Sequence, residues 1–463
     1  MKPNEGIMQK QYLRLSKVDG PLIMLEGVDG VSYDEMLQIE LDDGQNRKAK
    51  VVRIQGNKIV AQVFEGTGGI STTNAVVTFT GKMLEIPLSR DILGRTFNGI
   101  GEPMDNAGAI ISDKKYNING RPMNPVARMY PRDYLETGIS SIDTLTTLIR
   151  GQKLPIFSAN GLPHNQLAAQ IVRQAKLKNS DEKFAVVFAG MGIKHDDYDF
   201  FRSEFEQSGA SSRVVSYINL ADAPIVERIS TPRTALTAAE YLAFEEDMHI
   251  LVVMTDITSY AEALRELSSA KEEVPSRKGY PGYLYSDLST LYERAGMIKG
   301  KKGSITLIPI LTMPNDDITH PIPDLTGFIT EGQIVLSRQL YQKNIYPCVD
   351  ILPSLSRLMK DGIGEGFTRD DHECVQLQLF SLYSRVIEVR SLSQIIGEDD
   401  LSEMDKVYME FGRRFEEKFL TQGHDEARTI EQSLDIAWDL FGLFPKTALD
   451  RLEDKYIQKY GRW

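Results

Sequence analysis

Eight residues between an apolar strand and a helix mark the place where this chain could handle phosphate. Leu154-Pro155-Ile156-Phe157 reads as a strand, and a helix follows from about Gln166. Between them stands Ser158-Ala159-Asn160-Gly161-Leu162-Pro163-His164-Asn165. A phosphate-binding loop in this setting reads GxxxxGK[ST]. Its glycines let backbone N–H groups wrap the phosphates, its lysine meets the β/γ oxygens, and its hydroxyl holds magnesium. On that pattern Ser158 replaces the first glycine, Pro163 the second, His164 the lysine and Asn165 the hydroxyl residue, with Gly161 inside the turn. Proline removes an N–H donor and fixes φ. Histidine is mostly neutral at pH 7 and shorter than lysine. The position is right and the chemistry is missing. Taken alone, the segment reads equally well as a plain strand-to-helix turn.

Two further strand ends carry related signals. Ile250-Leu251-Val252-Val253-Met254 followed by Thr255-Asp256 has the form of a strand ending in the acid that orients magnesium and water. That signal is weak, because many parallel strands end in Asp. Gly190-Met191-Gly192-Ile193-Lys194 ends another strand, but Ile193 offers no carboxylate for a catalytic base.

The elements that must position these residues fall into three segments. Residues 1–80 read as short strands, among them Pro21–Leu25, Lys50–Ile54 and Ile59–Phe64, the last after a hairpin-like Gln55-Gly56-Asn57-Lys58. So many strands in so short a span predict a small β-barrel. Residues 81–358 alternate apolar runs with helical patterns. The runs at 184–188, 214–218, 250–254 and 305–310 are continuous, as in a parallel sheet covered on both faces. Residues 359–463 are helical, with Met404, Tyr408, Phe411, Phe415 and Phe419 on one face and Ile430, Leu434, Trp438 and Phe441 on another. This aromatic stripe reads as bundle core. The expected fold is a β-barrel, a central α/β domain of phosphate-loop (RecA-like) type with a degenerate loop, and a C-terminal helical bundle.

Composition bounds the function. The chain has 463 residues, 41% hydrophobic and 25% charged, as in a globular multidomain protein. A formal charge of −12 argues against nucleic acid, which needs a concentrated basic surface. Met1–Gly6 opens no signal peptide, and no apolar run is long enough to span a bilayer. Cys348 and Cys374 stand apart from any metal-binding spacing, which fits a reducing cytoplasm and no bound metal.

Longer motifs then allow a resemblance. Gly151–Ser158 with Gly161–Asn165, Gly279–Tyr285, His320–Gly327, Ile329–Ile334 and Pro347–Arg357 resemble the B subunit of vacuolar/archaeal-type rotary ATPases, in order and over nearly the whole chain. The resemblance implies a ring of three catalytic A and three B subunits around a rotating shaft, joined to central-stalk and peripheral-stalk subunits. It also implies ATP or ADP with Mg2+ at an A–B interface, none held by this chain alone. The complex would lie on the cytoplasmic side of a membrane that the chain meets only through its partners. It would couple ATP synthesis or hydrolysis to H+ or Na+ transport. In that family the B subunit contributes an arginine to the neighbour's site, and Arg357 matches that position here. Phe328 stands near the interfacial nucleotide, where several relatives have tyrosine. Ile193 falls where active subunits carry the catalytic glutamate, which agrees with the failed loop. Gly364–Arg369 lacks a lysine that some relatives have at Phe367 and receives no role.

Three rivals remain at this stage: an independently active ATPase, a ring-shaped nucleic-acid translocase on the same core, and an architectural subunit that touches no nucleotide.

Overall fold

The computed structural model describes residues 11–12, 15–120, 123–177 and 182–462. The reading of Met1–Gly6 lies outside the described residues.

The first sheet joins seven antiparallel strands in the order Gln11–Tyr12, Val76–Met83, Glu35–Glu40, Asn46–Gln55, Lys58–Val63, Leu22–Glu26 and Lys17–Asp19. Laid flat, its two outer strands would be roughly 29 Å apart, at about 4.8 Å per step. Yet only five chain links separate Tyr12 from Lys17, and these reach at most roughly 18 Å. The sheet therefore curls on itself. Its inward residues, such as Leu37 with Ile39, Ala49 with Val51 and Ala61 with Val63, alternate with outward ones and form one core. Gly56, at φ +60°, makes the predicted hairpin turn between Gln55 and Lys58.

The central sheet runs Val349–Ser356, Gly332–Leu336, Ile156–Ala159, Ser304–Met313, His249–Thr255, Phe184–Ile193, Val214–Leu220 and Thr96–Asn98. Pairing along this path is parallel except for the outermost strand, Val349–Ser356, which is antiparallel to Gly332–Leu336. Alternate residues serve opposite faces. Val187, Val252 and Leu307 pack under helices Ile225–Phe244 and Ile257–Ala270. Val186, Phe188 and Val253 pack under helices His164–Gln174 and His195–Gln207. Both faces are covered, which explains strands that are apolar without interruption.

Helices His372–Ile396, Glu403–Arg414, Ile430–Phe441 and Asp454–Tyr460 follow, with Glu403–Arg414 continuing into a wider turn over Phe415–Leu420. Phe411, Phe415 and Phe419 stack at centroid distances of 5.7 and 5.0 Å and are buried, as are Ile430, Leu434, Trp438 and Phe441. Met404 departs from the expected stripe and is exposed, because the first turn of its helix projects beyond the core. The bundle's core is continuous with the sheet face that carries Val186 and Phe188. Polar ties cross the same joint: buried His372 Nε2 lies 2.9 Å from the Thr144 carbonyl oxygen, and Ser140 Oγ lies 2.9 Å from Ser433 Oγ. No helix among the described residues is long and apolar enough to cross a membrane.

Candidate functional site

The degenerate loop is a closed turn. Strand Ile156–Ala159 is buried, and the chain reverses at exposed Asn160 and Gly161. Gly161 has φ +80° with open space around it, so backbone conformation rather than crowding favours glycine there. The Leu162 N–H donates to the Ala159 carbonyl at 3.1 Å, and the His164 N–H to that of Leu162 at 2.9 Å. Helix His164–Gln174 starts behind Pro163 with no side-chain cap.

Three of the four replaced side chains are engaged internally. His164 Nδ1 lies 3.0 Å from the hydroxyl of buried Ser158, so the imidazole folds back on the strand end. Asn165 Nδ2 donates to Asp197 at 2.9 Å, which places a carboxylate beside the position where a magnesium-binding hydroxyl would stand. Arg338 donates to the Asn160 carbonyl at 3.0 Å while its guanidinium forks onto Asp316 at 2.6 and 2.9 Å. That cation is already neutralised.

Asp256, the acid at the end of strand His249–Thr255, has a structural task. Its Oδ1 accepts from the Thr258 N–H at 2.8 Å and the Thr312 N–H at 3.1 Å. It thereby caps helix Ile257–Ala270 and fastens it to the neighbouring strand. Ile193 is buried in the apolar layer.

Arg357 and Phe328 sit elsewhere. Ile156 pairs with Ile334, and Gly332 with Ser356, so Arg357 lies level with Glu331 and Lys153 at the amino end of the loop strand. The chain's own loop leaves that strand's carboxyl end. Five residue-to-residue steps of extended chain separate Lys153 from Ser158, roughly 16 Å. Phe328, near the end of helix Pro321–Ile329, is three residues before Glu331 and 74% exposed. Arg357 is exposed, and its guanidinium has no hydrogen-bond or ion-pair partner among the described residues.

Its base, by contrast, is fixed. The Arg357 N–H donates to the Glu331 carbonyl at 2.9 Å. Buried Ser356 donates to the Thr147 carbonyl at 2.9 Å and accepts from Gln152 Nε2 at 2.9 Å. Glu331 is held in turn by Lys153, whose ammonium lies 2.8 Å from it. Neither Lys153 nor Glu331 was singled out in the sequence. Both stand inside motifs quoted above, but nothing local signals that residues 178 positions apart meet.

A doubly covered parallel sheet with a phosphate-type loop position, set between a curled β-sheet and a helical bundle, defines an ATPase-like architecture. Comparisons agree with it. Residues 15–81 match the beta-barrel domain of the ATP synthase alpha/beta family, and residues 138–356 its nucleotide-binding domain. Residues 361–461 match the C-terminal domain of V and A type ATP synthase. The V-type ATP synthase beta chain 2 of Clostridium tetani is 67% identical over 98% of this chain and 99% of its own length. The B subunit of the A-type ATP synthase of Aeropyrum pernix is 56% identical over 97% of each. The solved structure of ATP synthase subunit NeqB from Nanoarcheaum equitans is 42% identical, covers 91% of this chain and 98% of its own, and has a TM-score of 0.72. The chain belongs to the family of V- and A-type ATP synthase beta chains, also called B subunits.

Proposed function

We propose that this chain is the non-catalytic B subunit in the head of a V/A-type rotary ATPase. It alternates with three catalytic A subunits and completes their ATP sites with Arg357. Nucleotide and Mg2+ are held chiefly by the A subunit, with Phe328 packing beside the ligand. Central-stalk and peripheral-stalk subunits are its further partners. The ring works on the cytoplasmic side of a membrane, coupling ATP hydrolysis or synthesis to H+ or Na+ transport.

The observation that carries this reading is the separation of the two ends of strand Ile156–Ala159. At one end the chain's own loop has closed on itself, with His164 on Ser158 and Asn165 on Asp197. At the other, Arg357 is exposed and unpaired among the described residues. An ordinary surface salt bridge, the commonest use of such a residue, does not occupy it. A guanidinium placed against a γ-phosphate stabilises charge that builds in the transition state. The domain boundaries proposed are 1–80, 81–358 and 359–463.

The test is Arg357→Ala in the complex reassembled with the A partner. ATP turnover is expected to fall by roughly 10³–10⁵-fold, the range for a trans arginine. Turnover near the native rate would exclude the role.

A further inference from the structure

Among the described residues the Arg357 side chain has no partner, while its backbone is held by hydrogen bonds whose source is identifiable. Lys153 is 3% exposed. Its ammonium lies 2.8 Å from Glu331 and 3.0 Å from Glu293, and the other Glu293 oxygen lies 2.6 Å from Arg128 Nη2. The four charges alternate in sign along the chain Arg128–Glu293–Lys153–Glu331. The last pair is bound through its backbone as well. The Lys153 N–H donates to Glu331 Oε2 at 2.8 Å, and the Glu331 N–H donates to the Lys153 carbonyl at 3.1 Å. Glu331 is thus held at three points. Its carbonyl oxygen accepts both the Arg357 N–H at 2.9 Å and Gln152 Nε2 at 3.2 Å.

An ion pair between a buried lysine and a half-buried glutamate adds little to stability beyond what an apolar pair of the same volume would give. A pair that fixes one carbonyl and one side chain in register does something an apolar pair cannot do.

We infer that the Lys153–Glu331 pair is the positioning device for Arg357, acting on the neighbour's ATP through that arginine rather than by contact. The inference rests on the trans-arginine role proposed above. Loss of the Glu331 charge would leave the fold but let the arginine's base drift, and displacements near 1 Å can cost about 100-fold in rate.

The experiment uses the complex reassembled with the A partner. ATP turnover is measured for Glu331→Gln and Lys153→Met, each alone and with Arg357→Ala. The isolated variants are melted in parallel. Each single change is expected to lower kcat by about tenfold to a hundredfold, with KM for ATP altered by less than about twofold. With Arg357→Ala already present, single-turnover rates should show less than about a twofold further loss, because residues acting as a unit are not additive. If Lys153→Met melts early, Glu331→Gln carries the test, since Gln keeps the acceptor for the Lys153 N–H. Unchanged kcat in Glu331→Gln, while Arg357→Ala still damages turnover, would overturn this inference alone. An equal loss in both backgrounds would also overturn it, by marking a purely structural pair. Native turnover in Arg357→Ala would instead overturn the trans-arginine reading.

Discussion

At His372 the ring is fully buried where the bundle meets the central domain. Its Nε2 donates to the Thr144 carbonyl at 2.9 Å, so its Nδ1, 3.0 Å from Thr368 Oγ1, accepts that hydroxyl's proton. Thr368 Oγ1 in turn accepts from the Gly364 N–H at 2.7 Å, which closes the network around a neutral imidazole. Burial pushes the His372 pKa down from 6.5 to about 4. A histidine kept neutral by the fold contributes its stability above its unfolded pKa and loses it as pH falls. The window here runs from about pH 6.5 to about pH 4, and the loss reaches ~3 kcal/mol. Denaturant midpoints of the isolated chain should therefore drop across that window. In His372→Gln the drop should shrink, because glutamine keeps a donor toward Thr144 and takes up no proton. An unchanged slope would assign the acid sensitivity to other groups. The same contacts give Gly364–Arg369 a structural task that its sequence did not suggest: it seats the first bundle helix.

Among the elements, the turn from Ser158 to Asn165 departs from a phosphate loop in more than one way. Lysine and hydroxyl are absent, but so is the N–H at Pro163, and Asp197 stands beside Asn165. A phosphate loop works through several backbone donors converging on one anion, so restoring side chains leaves the backbone unchanged. His164→Lys combined with Asn165→Thr is expected to give an isolated chain that still shows no ATP turnover. Ile193 provides no base, and Asp256 remains committed to Thr258 and Thr312. A coupled-enzyme assay on the purified variant checks this, and measurable steady turnover would refute it. The opposite end of the same strand behaves differently. There, pairing across Gly332–Leu336 and Val349–Ser356 presents a guanidinium that is unpaired among the described residues.

For the whole molecule, the arrangement of cores sets the expected unfolding behaviour. The curled N-terminal sheet has a core of its own, whereas the bundle and one face of the central sheet share another. Side chains in a shared core lose their packing together. Calorimetry of the isolated chain should show sheet and bundle melting in one transition. A chain ending at residue 358 should aggregate, because it exposes the sheet-side half of that core. A soluble, folded fragment would contradict the shared core.

The sequence by itself determined a good deal. Short strand runs with a hairpin-like turn, uninterrupted apolar strands and a helical aromatic stripe dictated the three architectures, because such patterns are local and repeat along each element. Residue identity alone emptied the loop of its lysine and hydroxyl, since no fold can supply functional groups that the side chains lack. Met404 was misread because a helix-period pattern cannot tell where the core ends. Register and long-range pairing were decided only in three dimensions. The antiparallel edge strand put Arg357 at the far end of the strand from the chain's own loop. The Lys153–Glu331 pair joined motifs 178 residues apart, and His164 turned back onto Ser158. Such facts depend on which strands become neighbours and in what register, and hydrogen bonds across a sheet leave no periodic trace in the chain.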